Sequence, residues 1–381
     1  MIFFIIFSSV LLIIYSYIGW RLFWPLAISF HFKTILIILL IVFYCLPIIN
    51  IVFYFNKIEN NFTRIIAWLG YTGIGTVSLL FFMQISVDLL SAINTIFISK
   101  SNFQPQRRAF IGLSLKGIIG TMGAIGTAWG MYNAIKTPVI KKVQIPIPKL
   151  PESLKELRMA QITDLHVGSM ITGEFVSKVA KQIHNLNPDI LFFTGDAADG
   201  SVKSYGSHLA ALEKINPKYG KYFVTGNHEY YSDMNGWLQV IEDLGFKILV
   251  NESQIINVKG STVMITGIPD RDGKHFSSFH KTDMKKAVGG MAECDLKILL
   301  AHQPKDIEHA VKYNFHVQLS GHTHGGQYFP FSLLVQMAHP FIKGLHKRNN
   351  TWVYINQGTG YWGPPMRIGT EPEITEITFT S

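Results

Sequence analysis

Four apolar stretches, each long enough as a helix to cross the hydrocarbon core of a bilayer, crowd into the first 135 residues of this 381-residue chain. They cover roughly residues 2–20, 34–55, 65–87 and 110–135, and the first three contain no charged residue. Ile, Leu, Phe and Val runs of this length exceed the buried helices of soluble domains, so they predict four transmembrane helices. The fourth stretch differs from the others. It carries Lys116 near its start, where the stem can snorkel to the interface, and Gly117, Gly120, Gly123 and Gly126, which would let neighbouring helix backbones approach.

Charge follows the same division. Residues 1–136 hold nine Lys or Arg against Glu59 and Asp88, whereas the remainder is nearly balanced with 25 basic and 23 acidic residues. The basic excess therefore lies beside hydrophobic runs, where it orients a membrane protein, and no nucleic-acid partner is expected. Gln106-Arg107-Arg108-Ala109-Phe110 resembles a twin-arginine export signal, in which paired arginines precede an aromatic and a moderately apolar segment. An ordinary cytoplasmic anchor under the positive-inside rule is the alternative. Both readings leave Arg107 and Arg108 in the cytoplasm and send everything after the fourth helix across the cell membrane, with Lys136, Lys141 and Lys142 dissenting. The expected organisation is a membrane domain over 1–135, an extended linker over 136–156 marked by Pro138, Pro146, Pro148 and Pro151, and a layered αβ domain over 157–381. Two cysteines, Cys45 and Cys294, exclude a disulfide framework and a multi-cysteine metal site.

Thirteen of the fourteen histidines lie beyond residue 136, and the informative ones follow predicted strands. Leu157 to Thr163 runs into Asp164-Leu165-His166, Ile190 to Thr194 into Gly195-Asp196-Ala197-Ala198-Asp199, and Tyr222 to Thr225 into Gly226-Asn227-His228-Glu229. Lys297 to Ala301 leads into His302-Gln303-Pro304, and His316 to Ser320 into Gly321-His322-Thr323-His324-Gly325. A lone Asp after a strand is usually a helix cap. Five strands each delivering Asp, Asn or His past their carboxyl ends describe the ligand-binding edge of an αβ sheet. Three oxygen donors (Asp164, Asp196, Asn227) and four imidazoles (His166, His302, His322, His324) without a thiolate suit manganese, iron, zinc or cobalt. Seven donors exceed one tetrahedral ion but serve two divalent ions sharing a carboxylate, a recurrent device for phosphoryl hydrolysis.

These residues carry a resemblance to the calcineurin-like metallophosphoesterase superfamily, whose pattern DxH, GDxxD, GNHE, H and GHxH is matched at every position over 157–381. Gly321 to Gln327, Asn356-Gln357-Gly358 and Gly363-Pro364-Pro365-Met366-Arg367 are further similar to its membrane-anchored bacterial branch with N-terminal helices. The resemblance implies a four-layer αββα domain, one metal on Asp164, His166, Asp196 and His324, and a second on Asp196, Asn227, His302 and His322. It implies His228 as the acid that protonates the leaving oxygen, Asp199 as its orienting partner, and in-line attack by a hydroxide bridging the ions. Expected substrates are phosphodiester, phosphomonoester or pyrophosphate bonds, in lipid-linked or nucleotide-sugar molecules such as UDP-diacylglucosamine, although cleavage of that last compound belongs to the cytoplasmic face. A non-catalytic membrane scaffold of the same fold is the competing class. Glu229 reads equally as a capping carboxylate. His184, His208, His275, His280, His309, His339 and His346 read as surface or packing residues, and Arg271 as part of a turn.

Overall fold

The structure, a computed structural model, describes residues 2–97, 105–289 and 293–381. The chain divides into two compact units, Met1–Tyr132 with Gly363–Met366 and Asn133–Trp362 with Arg367–Ser381.

In the first unit the apolar stretches are four long helices: α1 (Ile2–Ile18), continued by a π-helical turn through Phe23, α2 (Phe30–Phe55), α3 (Asn61–Phe97) and α4 (Pro105–Ile135). Each is long and apolar enough to cross a membrane. Their shared contact is made by Leu11, Tyr15, Ile18 and Leu22 with Val77, Leu80 and Ile119, while Ile5, Ile38, Ile41 and Leu90 face outward. Arg21 is paired with Asp88, its Nε donating to Oδ2 at 2.7 Å, and Gln84 and the Tyr17 hydroxyl donate to the same carboxylate. Polar groups inside apolar helices are thus partnered with one another, as a low-dielectric surrounding requires. The glycine stripe of α4 meets its expectation only locally. A Cβ on Gly123 would lie 2.5 Å from Leu80 Cδ2, whereas Gly117 and Gly120 face open space. Lys100 and the side chains of Arg107 and Arg108 lie outside the described residues.

The second unit is built on β1 (Val139–Pro146), β2 (Met159–Ile162), β3 (Val167–Gly168), β4 (Ile190–Phe193), β5 (Ala198–Asp199), β6 (Lys221–Phe223), β7 (Lys247–Ile248), β8 (Glu252–Val258), β9 (Ser261–Gly267), β10 (Leu296–Leu300), β11 (Val317–Ser320), β12 (Gly344–Arg348), β13 (Thr351–Ile355) and β14 (Glu373–Thr380). One sheet has the order β1-β14-β2-β4-β6-β7, a second the order β12-β13-β11-β10-β9-β8, and β3 pairs with β5. Strands β2, β4, β6 and β7 are mutually parallel, as are β9, β10, β11 and β13, so each set presents its carboxyl ends along one edge.

Strands buried on both faces read as continuous apolar runs, and Ile190-Leu191-Phe192-Phe193 of β4 is one. Ile190 and Phe192 join Met159, Ile298, Leu300 and Leu319 in the core between the sheets. Leu191 and Phe193 turn the other way, onto Val176, Val179 and Ile183 of the helix Gly173–Leu186. On the far side, Leu299 and Val353 meet Ile307 and Ala310 of the helix Ile307–Lys312. Helices, sheet, sheet and helices give the expected four-layer αββα arrangement.

Residues 136–156 are not a linker. Val139–Pro146 forms an edge strand parallel to β14 in the register Val139↔Glu373 to Pro146↔Thr380, and Glu152–Lys155 is a short helix. The prolines permit this because a strand edge tolerates missing N–H donors at its ends.

Candidate metal centre

Asp164 and His166 follow β2, Asp196 follows β4, Asp199 ends β5, and Asn227 and His228 follow β6. From the second sheet, His302 follows β10, and His322 and His324 follow β11. All are buried except Asp199 and His322, which are half-buried. The donor atoms of Asp164, His166 and His324 lie within 4.8 Å of one another, as do those of Asp196, His302 and His322, and those of His166, Asp196 and His228. Across the groups, His166 Nε2 is 3.1 Å from His324 Nε2, His302 Nε2 is 3.1 Å from Asp196 Oδ2, and His322 Nδ1 is 3.0 Å from Asn227 Oδ1. The seven sequence-predicted donors therefore converge on one place, with Asp196 shared by two of the groups. Convergent imidazole and carboxylate lone pairs of this kind could hold metal ions.

Backbone strain points the same way. Asp164, His166, Asp196, His322 and His324 adopt left-handed φ values of 53°, 51°, 54°, 70° and 50°. Such residues cost on the order of 1–3 kcal/mol each and persist where the surroundings over-determine them, typically at functional sites. The glycines that precede the motifs are explained by close approach. A Cβ on Gly226 would stand 2.1 Å from Asp196 Oδ1, and one on Gly321 2.2 Å from Asp164 Oδ2.

Hydrogen bonds orient the donors. The His302 Nδ1–H donates to the Thr194 carbonyl at 2.7 Å, which turns Nε2 toward Asp196. Asp164 accepts from the Thr163 hydroxyl at 2.7 Å and from the His322 N–H at 3.0 Å. Glu229 accepts from the N–H groups of Gly226 (2.6 Å), Ala197 (2.8 Å) and Asp196 (3.1 Å), so it both caps its own helix and ties the loops bearing Asn227 and Asp196 together. Its reading as a capping carboxylate matches this geometry.

Burial lowers His166 to about 3 and holds His322 and His324 well below the ordinary histidine range, leaving three neutral rings with free lone pairs. Burial works against charge at His302 and His228 too. There Asp196 outweighs it, joined by Asp164 at His302 and by Asp199 and Glu229 at His228, so both rings are raised, His228 to about 9. Burial pushes Asp164 up to about 6, while His302 and His228 outweigh burial at Asp196 and keep it ionised. His228 Nδ1 faces Asp199 Oδ1 at 3.3 Å, and its ring meets Tyr231 and Trp362 edge-on with centroids 5.4 and 5.5 Å away.

Three residues escape the sequence reading. Arg367, fully buried, donates to the carbonyls of Gly360 (2.6 Å) and Gln357 (2.8 Å) and reaches the His324 carbonyl at 3.3 Å, so it fixes both the Gln357–Gly360 turn and His324. His339, read as packing, places its ring 5.1 Å from that of His322. Trp362 is half-exposed beside His228, with its backbone held on both sides by the Gln327 amide. The run ending at Arg367 and the glycine-rich segment around Trp362, which could border the cleft, hinted at two of these. Arg271 opens a 3-10 turn and bonds the buried Asp306 at 3.1 Å, consistent with its reading as a turn residue.

A family profile for calcineurin-like phosphoesterases matches residues 157–326. The chain is 36% identical over 262 residues to a transmembrane protein with metallophosphoesterase domain from Danio rerio, covering 67% of this chain and 60% of that one. It is 34% identical over 284 residues to an uncharacterized metallophosphoesterase from Helicobacter pylori, covering 74% of each. A third relative, an uncharacterized metallophosphoesterase from Aquifex aeolicus, is 31% identical over 258 residues, with 67% of this chain and 97% of that one covered. The chain spans about three fifths of the length of the vertebrate relatives it matches, 60% in Danio rerio and 58% in Bos taurus.

Proposed function

Because the chain belongs to the calcineurin-like metallophosphoesterase family, we propose that it is a membrane-anchored phosphoric ester hydrolase working with two divalent transition-metal ions. The observation that carries this reading is the convergence of seven oxygen and nitrogen donors, six of them buried, from five strand ends, with five of the seven on strained backbone. Asp164, His166, Asp196 and His324 would hold one ion, and Asp196, Asn227, His302 and His322 the other. When bound, such ions acidify water and neutralise charge on the phosphoryl oxygens.

The chain's own groups do the rest. Asp196 is the shared carboxylate, and its backbone is fixed by Glu229. Asn227 would contribute a neutral oxygen, its Oδ1 lying 3.0 Å from His322 Nδ1, which leaves its amide N–H groups available to a phosphate. His228 carries its Nδ1 proton toward Asp199, which leaves the Nε2 proton for the leaving oxygen. Tyr231 and Trp362 flank that ring and keep water from the acid. The substrate is a phosphomonoester, phosphodiester or pyrophosphate, with lipid-linked esters placed ahead of nucleotide sugars such as UDP-diacylglucosamine because the catalytic unit lies outside the cytoplasm in the topology argued below.

Asp196→Asn tests the shared carboxylate. It should lose bound metal and activity together, and by more than His302→Ala, in elemental analysis and an assay with manganese against a monoester, a diester and a nucleotide sugar. Fewer than one transition ion per wild-type chain after anaerobic reconstitution would reject the two-ion reading.

A further inference from the structure

The segment between the last two strand-end histidines and β12 has no counterpart in the chemistry above. It leaves the turn that carries His322 and His324 and comes back to it. At its start, a Cβ on Gly326 would lie 2.5 Å from Ser332 Cα, so the helix Phe331–Ala338 rests directly on that turn. At its end, His339 packs on the His322 ring, and the Thr323 hydroxyl donates to the Ile342 carbonyl at 2.6 Å. The helix is thus fastened at both ends to the residues between His322 and Gly326. It therefore stands on the turn that carries two of the predicted donors, with Leu333, Leu334 and Met337 turned outward.

Its composition is wrong for a surface facing water. Phe-Ser-Leu-Leu-Val-Gln-Met-Ala contains no charge, and none of its residues is buried. Phe329 is 61% exposed, Leu333 50%, Leu334 54% and Met337 85%. A helix that covered the domain's own core would hide at least one of these side chains, so among the described residues this apolar surface has no partner that buries it. Cations border it. Lys343 and Lys347 are exposed, and the chain has no acidic residue between Glu308 and Glu371. An exposed apolar helix followed by exposed lysines is the chemistry of the lipid headgroup boundary. The same chain carries four helices long and apolar enough to cross a membrane, so a bilayer is the apolar phase to which the chain is tethered.

We propose that Phe329 and the helix Phe331–Ala338 dock into the bilayer interface and admit to the metal centre phosphate esters that carry a lipid anchor, a step that rests on the phosphoesterase reading only for the chemistry that follows entry. Lys343 and Lys347 attract the anionic headgroup region, and Leu333, Leu334 and Met337 enter the acyl boundary.

The test uses the full chain in nanodiscs of phosphatidylcholine with phosphatidylglycerol. In a Cys45→Ser, Cys294→Ser background, an environment-sensitive fluorophore on Met337→Cys should be blue-shifted and quenched by nitroxide-labelled lipid, while one on Lys259→Cys should not. Equal water exposure at the two positions, or quenching that depends on protein concentration as a contact between copies would, overturns the proposal. Leu333→Ser with Leu334→Ser and Met337→Ser should lower turnover of a lipid-anchored phosphodiester in the disc at least tenfold and leave turnover of bis(p-nitrophenyl) phosphate unchanged. Parallel loss on both esters, or none on the lipid one, also overturns it. Because the fluorophore reads docking without catalysis, a wild-type chain inactive on both esters would reject the phosphoesterase reading and leave the docking result standing.

Discussion

His228 is set apart from the other histidines of the centre by its company. His302 turns a nitrogen into the carboxylate cluster after donating the other to a carbonyl, whereas His228 spends Nδ1 on the half-buried carboxylate of Asp199 and has aromatic rings on two sides. Its donor nitrogen nevertheless falls within 4.8 Å of those of His166 and Asp196, so distance alone would admit it as a ligand. The two roles separate in kinetics. If His228 protonates the leaving oxygen, His228→Asn should retain both ions and lose on the order of 10² to 10⁴ in turnover. The loss should be smaller for a nitrophenyl ester, whose leaving group needs little protonation. Loss of metal, or an equal loss across leaving groups, would make His228 a ligand or a positioning residue. Elemental content and kcat on a graded series of aryl esters are the two measurements.

At the scale of elements, β1 carries the sharpest consequence. Its inward residues Val143 and Ile145 are buried in the core between the sheets, while Gln144 points to solvent. Ile145→Ala in the full chain should therefore lower unfolding free energy by about 2–5 kcal/mol, while Gln144→Ala should stay within about 0.5 kcal/mol; thermal or denaturant melts of the catalytic unit check both. This strand was hidden in the sequence because its partner, β14, lies more than two hundred residues away and four prolines crowd its neighbourhood. The strands that carry the site were legible for the opposite reason. Each is a short apolar run ending in Gly, Asp, Asn or His, and parallel strands buried on both faces must read that way. The motif residues Asp164 to His324 were thus found from local sequence. Arg367 and His339 were not, because their importance lies in reaching His324 and His322 across the fold, and no short-range pattern encodes such a reach.

For the whole molecule, the question is on which side of the membrane the catalytic unit works. Within the helical unit, the Arg21–Asp88 pair joins the carboxyl-terminal ends of α1 and α3, so these two helices run in the same direction, as an up-and-down passage of four helices demands. If α4 crosses in the opposite sense to them, the chain after it is expected on the side opposite to the arginine pair that precedes the helix. The dissenting lysines lose their force in the structure. Lys136 pairs with Glu371 at 2.6 Å, Lys142 with Glu376 at 3.5 Å, and Lys141 stands 3.8 Å from Glu373, so the charges that follow α4 are matched by acids just before and within β14. A lysine paired in a folded domain gives little positive-inside signal compared with an arginine pair directly ahead of an apolar helix. A phosphatase reporter active only outside the cytoplasm should therefore work when fused after residue 140 and fail when fused after residue 26. Replacing Arg107 and Arg108 together by Lys keeps the charge and reads the route. Lost export assigns the twin-arginine pathway, and retained export assigns charge-directed insertion. A reporter silent after residue 140 but active after residue 26 would invert the whole chain and place the metal centre in the cytoplasm, where a nucleotide-sugar substrate would again come first.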